Sequence, residues 1–164
     1  MYFLFNFNNI YKNDVWYSTD GNTWTQATGN AAFSDRGFLS TTVFNNKLWV
    51  IGGLSDSGRL NDVWWSSDGV TWTQATSNAG FGGRYGHSCI TFSNAMWVAG
   101  GYGSNGANGD IWFSNDGIAW LCIKPNAFPT RGEFGFVVSS DNKIWVIGGW
   151  DGNTGARRDV WWSY

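Results

Sequence analysis

Any chemistry in this chain would have to come from few residues. His87 is the sole histidine and Glu133 the sole glutamate, while three arginines, Arg36, Arg84 and Arg131, recur at near-constant spacing. One imidazole cannot assemble a His-rich zinc, copper or iron site within a chain. It also leaves neither a Ser-His-Asp nor a Cys-His arrangement convincing. No catalytic residue, metal ligand or cofactor is therefore assigned. A glycosidase needs two carboxylates flanking one bond, and the aspartates recur so regularly that none stands apart. The guanidinium groups of Arg36, Arg84 and Arg131 could together hold a carboxylate such as that of a sialic acid. The same groups could equally be braces that every unit requires, neutralised by Asp35 and Glu133 nearby, and the structural role is the preferred one. His87, close behind Arg84, reads as a polar channel or packing residue rather than a general base.

Recognition is better sought where the sequence varies. Residues Ser55–Leu60, Tyr102–Gly109 and Trp150–Arg157 differ from one another while their flanks repeat, and loops on a rigid scaffold are where specificity usually sits. Tyr102 and Trp150 could stack on a sugar or a peptide. The candidate ligand-binding set is accordingly Arg36, Arg84, His87, Tyr102, Arg131, Glu133 and Trp150.

The elements that must position these residues are written in a repeat of about 48 residues. Asp14-Val-Trp-Tyr-Ser-Thr-Asp20-Gly-Asn-Thr-Trp24 returns as Asp62 to Trp72 and as Asp110 to Trp120, and starts again at Asp159-Val-Trp-Trp-Ser. Each full unit also holds a strand-like run after its arginine, a polar turn, and an apolar run ending in paired glycines: Gly52-Gly53, Gly100-Gly101 and Gly148-Gly149. Such a period marks stacked units that cannot bury an apolar face alone. The runs predict four short strands per unit in an antiparallel meander, with central strands packed on both faces. The paired glycines permit positive φ or close backbone approach. Trp49, Trp97 and Trp145 are placed to fill the wedge between neighbouring units. Asp20, Asp68 and Asp116 read as turn braces that accept hydrogen bonds from their own turn amides, with Trp24, Trp72 and Trp120 as repeated packing residues.

Leu48-Trp-Val-Ile-Gly-Gly53, Asp62-Val-Trp64, Trp72 and Arg84, in a period of this length, resemble the kelch repeat of kelch-type β-propellers. The resemblance covers nearly the whole chain. It implies four-stranded blades around a central channel, six or seven in the usual ring, with ligands held by loops at the channel mouth. The family includes galactose oxidase-like and sialic-acid-epimerase-like enzymes as well as many binding modules, so membership says little about activity. The chain departs from the pattern in its third strand, where Trp65, Phe113 or Trp162 replaces the usual tyrosine and only Tyr17 keeps it. The Ser-x-Asp-Gly turn is similar to the Asp-box of sialidases, one residue shorter between Asp and Gly.

Composition narrows the classes further. The chain is 43% apolar with 13 Trp and 12 Phe, which excludes general disorder, and its 23 Gly favour turns and short strands over helices. A net charge of −2 with scattered basic residues argues against nucleic acid. Cys89 and Cys122 occupy different places in the repeat and read as buried apolar residues. No run approaches the ~20 apolar residues of a membrane span. No signal peptide is evident, which favours a soluble cytoplasmic chain unless its true N-terminus is missing. Aligned on the second unit, Met1–Phe5 takes the place of the glycine-paired strand, with Leu4 and Phe5 where the glycines would be. The expected division is a partial blade over 1–35, blades over 36–83 and 84–130, and a partial blade over 131–164. That makes about three and a half blades of an incomplete, all-β ring. A fragment of a larger propeller, a homodimer completing the ring, and an open capped stack all fit. The preferred function is a non-enzymatic binding scaffold for a protein or peptide, with carbohydrate as a further ligand class. The alternative is part of a carbohydrate-active propeller enzyme, such as a sialic-acid epimerase or hydrolase.

Overall fold

The polar pairs between apolar runs make tight hairpins. Asn45 and Asn46 have φ of 49° and 56°, and Ser93 and Asn94 of 47° and 56°. Two consecutive positive φ values give the mirror-image turn whose twist matches that of antiparallel strands. The computed structural model of the protein describes residues 11–163. The strand expected at Met1–Phe5 and the terminal Tyr164 lie outside the described residues.

Strands β1 (Val15–Tyr17) and β2 (Thr25–Thr28) pair as the first sheet. The second sheet holds β3 (Ser40–Phe44), β4 (Lys47–Ser55), β5 (Gly58–Ser66) and β6 (Thr73–Thr76) in sequence order. In the third, β7 (Ser88–Phe92) and β8 (Ala95–Ala99) are followed by a small hairpin, β9 (Tyr102–Gly103) and β10 (Gly106–Ala107). The meander then resumes with β11 (Ile111–Ser114) and β12 (Leu121–Lys124). The last sheet has three strands, β13 (Gly135–Val138), β14 (Ile144–Ile147) and β15 (Val160–Ser163). The fold is all-β, its antiparallel sheets resemble partial propeller blades, and among the described residues they form no closed ring. Two of the variable segments differ from loops: Ser55–Leu60 is the tip of the long β4–β5 hairpin, and Tyr102–Gly109 contains β9 and β10.

First strands lie side by side along the axis. Ser40 Oγ donates to the His87 carbonyl at 2.6 Å, Ser88 Oγ to that of Phe134 at 3.0 Å, and the Thr42 and Thr91 hydroxyls meet at 2.9 Å. Apolar clusters fill the wedges between sheets. One joins Phe44, Trp49, Ile51, Val63, Phe81, Met96, Val98 and Trp120. The repeated tryptophans act as wedge residues: Trp72 meets Phe33 edge-on at 5.1 Å and Trp120 meets Phe81 at 5.2 Å. Trp72 and Trp120 are 8% and 6% exposed, whereas Trp24, in the first sheet, is 58% exposed. In the last sheet the corresponding place beside Phe128, Val146 and Trp161 is an apolar cavity of about 360 Å³.

The glycine pairs serve both expected purposes. Gly101 has φ +88°, and a Cβ there would meet the His87 Cβ at 2.7 Å and the Tyr85 carbonyl at 2.8 Å. What crowds it is the start of its own blade. At Gly148, with φ +62°, an added Cβ would meet nothing nearer than the Arg157 carbonyl at 3.5 Å. Gly101→Ala should cost on the order of 2 kcal/mol and Gly148→Ala about 1 kcal/mol. Urea unfolding of the two variants checks the difference, and equal costs would mean that the close approach at Gly101 contributes nothing.

Cysteine placement corrects one expectation. Cys89 packs against the core, but Cys122 is exposed, because it lies on β12, the outermost strand of its sheet, whose four residues are all exposed.

Candidate binding cleft

The polar residues that repeat are used inside the blades. Arg84 makes a bidentate pair with Asp110 at 2.8 and 2.9 Å, donates to the Gly100 carbonyl at 2.9 Å, and holds the Phe81 carbonyl through Nε at 3.0 Å. Arg36 with Asp62 and Arg131 with Asp159 repeat the arrangement, each reaching the first glycine of its pair. The proposed neutralisers Asp35 and Glu133 make no ion pair among the described residues. The true partner is an aspartate on the third strand or just before it, which the meander folds back beside the arginine. In the same motif Trp64 and Trp112 donate through Nε1 to Asp62 and Asp110, each at 2.7 Å. A register shift between Val63 and Trp64, and between Ile111 and Trp112, accompanies this bond.

The turn aspartates are likewise occupied. Asp68 Oδ1 accepts the Val70 and Thr71 amides at 2.8 Å each and the Ser66 hydroxyl at 2.9 Å, and Trp72 Nε1 closes the turn onto the Gly69 carbonyl at 3.1 Å. These donors favour the carboxylate form, so Asp20 and Asp68 are each pulled down to about 2. Asp116 makes the same contacts.

His87 is buried, with Gly101 against its Cβ and Phe81 6.4 Å from its ring. Neither ring nitrogen has a hydrogen-bond partner among the described residues. Burial first, and the charge of Arg84 second, push its pKa down to about 3.

Residues outside the repeat gather elsewhere. A cleft of about 690 Å³ opens where the tips of three sheets meet, and its walls include Arg59, Tyr85, Tyr102, Glu133 and Trp150. Tyr85 and Tyr102 lie 5.2 Å apart, and the Arg59 guanidinium sits 5.6 Å over the Tyr85 ring. The Tyr102 hydroxyl donates to the Trp150 carbonyl at 2.8 Å, tying two tips together. Burial first, then the neighbouring Glu133 charge, push the Tyr102 phenol up to about 12. The wall residue Asp151 is taken up by its own turn, where it accepts the Asn153 amide at 2.8 Å, and by Arg157 at 2.9 Å. Trp150 is 46% exposed and Glu133 is exposed.

Of the seven sequence candidates, Tyr102, Glu133 and Trp150 line this cleft, while Arg36, Arg84 and Arg131 lie in the braces and His87 lies between blades. Sequence reasoning missed Arg59, Tyr85, Asp151 and Asn153 as individual wall residues. Tyr85 carried a usable signal, because it follows its arginine where the neighbouring units have Gly37 and Gly132. Gly132 is itself required, since a Cβ there would strike the Tyr102 ring at 2.4 Å.

Among the described residues no group of three or more His, Cys, Asp and Glu side chains could hold a metal ion, and no helix is long and apolar enough to cross a membrane. The sheets, meandering outward from a shared line of first strands, define the class as blades of a β-propeller, with no closed ring among the described residues. Residues 35–65 and 136–162 match the Kelch motif. The chain therefore carries that repeat at two positions, in agreement with an incomplete kelch-type propeller. No curated protein matches the chain.

Proposed function

We propose that this chain is a non-catalytic binding scaffold that receives a protein or peptide segment in the cleft walled by Tyr85, Tyr102 and Trp150. One observation carries the reading: the repeated polar side chains are spent on braces and turns, while non-repeated aromatic and charged ones converge on one concave surface. Aromatic walls with a few placed polar groups suit a ligand's apolar and polar parts together. Selection of displayed random peptides on the immobilised protein tests it. Enriched peptides should lose binding to a Trp150→Ala variant whose melting temperature is unchanged. Enrichment of glycans on a parallel array, with no peptide selected, would favour the carbohydrate-active alternative. Membership in a homodimer that completes a ring, in a soluble cytoplasmic setting, belongs to the same proposal. Light scattering on a sizing column should then give twice 18.2 kDa.

A further inference from the structure

The residue two positions after each brace arginine adopts the same unusual backbone. Phe38, Gly86 and Glu133 have φ of 52°, 62° and 55°. The cause is a relay of main-chain bonds around the axis: the Gly86 amide donates to the Phe38 carbonyl at 2.9 Å and the Glu133 amide to the Gly86 carbonyl at 2.7 Å. Glycine adopts this left-handed region freely, and any side chain there is strained. Strained backbone held by its surroundings points to a use for the side chain. At Glu133 that side chain is exposed, in the cleft wall, and its carboxylate makes no ion pair or hydrogen bond among the described residues.

We infer that Glu133 is a positioned anion that, with the faces of Tyr102 and Trp150, captures a lysine or arginine side chain of the bound peptide. This rests on the binding-scaffold reading and names the ligand's chemistry. A carboxylate beside aromatic faces suits a cation, which gains from the charge and from the ring quadrupoles together. The cleft already holds such a contact, in Arg59 over Tyr85. The other acid of the wall, Asp151, is matched by Arg157, so Glu133 supplies the free negative charge. The relay fixes its Cα, so the point from which the side chain reaches into the cleft is set before the ligand arrives.

The test uses pools of acetylated, amidated hexapeptides randomised at every position but one, which is fixed as lysine, arginine, norleucine or glutamate. The lysine and arginine pools should bind the full chain about tenfold or more tightly than the norleucine pool. Glu133→Gln should abolish that preference, and added salt should weaken it. Glu133→Gly should lose the preference while melting no lower than the parent, because it relieves the strained backbone. A fall of several degrees in Glu133→Gly would assign Glu133 a structural role and overturn the proposal. Equal binding of all pools, lost in Trp150→Ala, would leave the scaffold reading standing and overturn the cation site. Tightest binding of the glutamate pool would assign recognition to Arg59 and overturn it also. Binding of no pool would overturn both.

Discussion

Arg84→Met is expected to destabilise the protein by about 3–5 kcal/mol, lowering its melting temperature by roughly 10 °C for a chain of this size. The guanidinium side chain is 3% exposed and that of Asp110 is 13% exposed. Removing the cation strands a carboxylate largely shielded from water. It also takes the donors from the Gly100 and Phe81 carbonyls. Losing one partner of a buried pair is costly because the other keeps its desolvation penalty. The double variant Arg84→Met/Asp110→Asn should regain part of the loss, since the stranded charge is gone and an acceptor remains for Trp112 Nε1. Arg131→Met should cost less, because the Asp159 side chain is 37% exposed and water can solvate it. Chemical denaturation of the three variants checks the order. If Arg84→Met and Arg131→Met cost the same, burial does not set the strength of the brace.

The second large effect is a loss of stability in mild acid through His87. Its native pKa is pushed down to about 3 from 6.5. The unfolded chain therefore takes up a proton near pH 6.5 that the native chain refuses until about pH 3. Stability from this group is fully present above pH 6.5 and falls as pH drops, by up to about 1.4 kcal/mol per unit, until the native pKa is reached. Arg84 repels the charged ring and Asp110 attracts it, with burial the largest cause. The Ile51 carbonyl is the nearby main-chain group that favours the charged form. Carboxylates with lowered pKa, such as Asp62 and Asp68, lose their contribution only below about pH 4. The interval from pH 4 to 6.5 thus isolates the histidine. Urea midpoints across it should slope steeply for the parent and be flat for His87→Met. The variant should be no less stable at pH 7, because it removes two unpartnered ring nitrogens. A flat parent profile would show that the ring is charged or solvated in the native state.

Legibility followed the range of the interaction. The strands, their antiparallel order and the Asn45-Asn46 and Ser93-Asn94 turns were readable, because hairpins are encoded by neighbours in sequence. So were the turn braces, whose donors lie two and three residues from Asp68. The arginine braces were half readable. Arg36 and Asp62 recur in step, yet in sequence Asp35 is the carboxylate next to the arginine, and only the return of β5 brings Asp62 within 2.7 Å. Cys122 was misplaced because its apolar pattern does not reveal that β12 is an outer strand.

By itself the sequence determined that this protein is a stack of four-stranded units, where each turns, and which residues repeat for structural reasons. Period and local turn chemistry are properties of contiguous segments. Tertiary structure alone decided that Tyr85, Tyr102, Glu133 and Trp150 share one cleft and that the buried His87 ring nitrogens have no hydrogen-bond partner among the described residues. These residues come from two different units, and what brings them together is the packing of sheet against sheet, with the main-chain relay from Phe38 through Gly86 to Glu133. Packing depends on side chains far apart in the chain, so no local pattern encodes it.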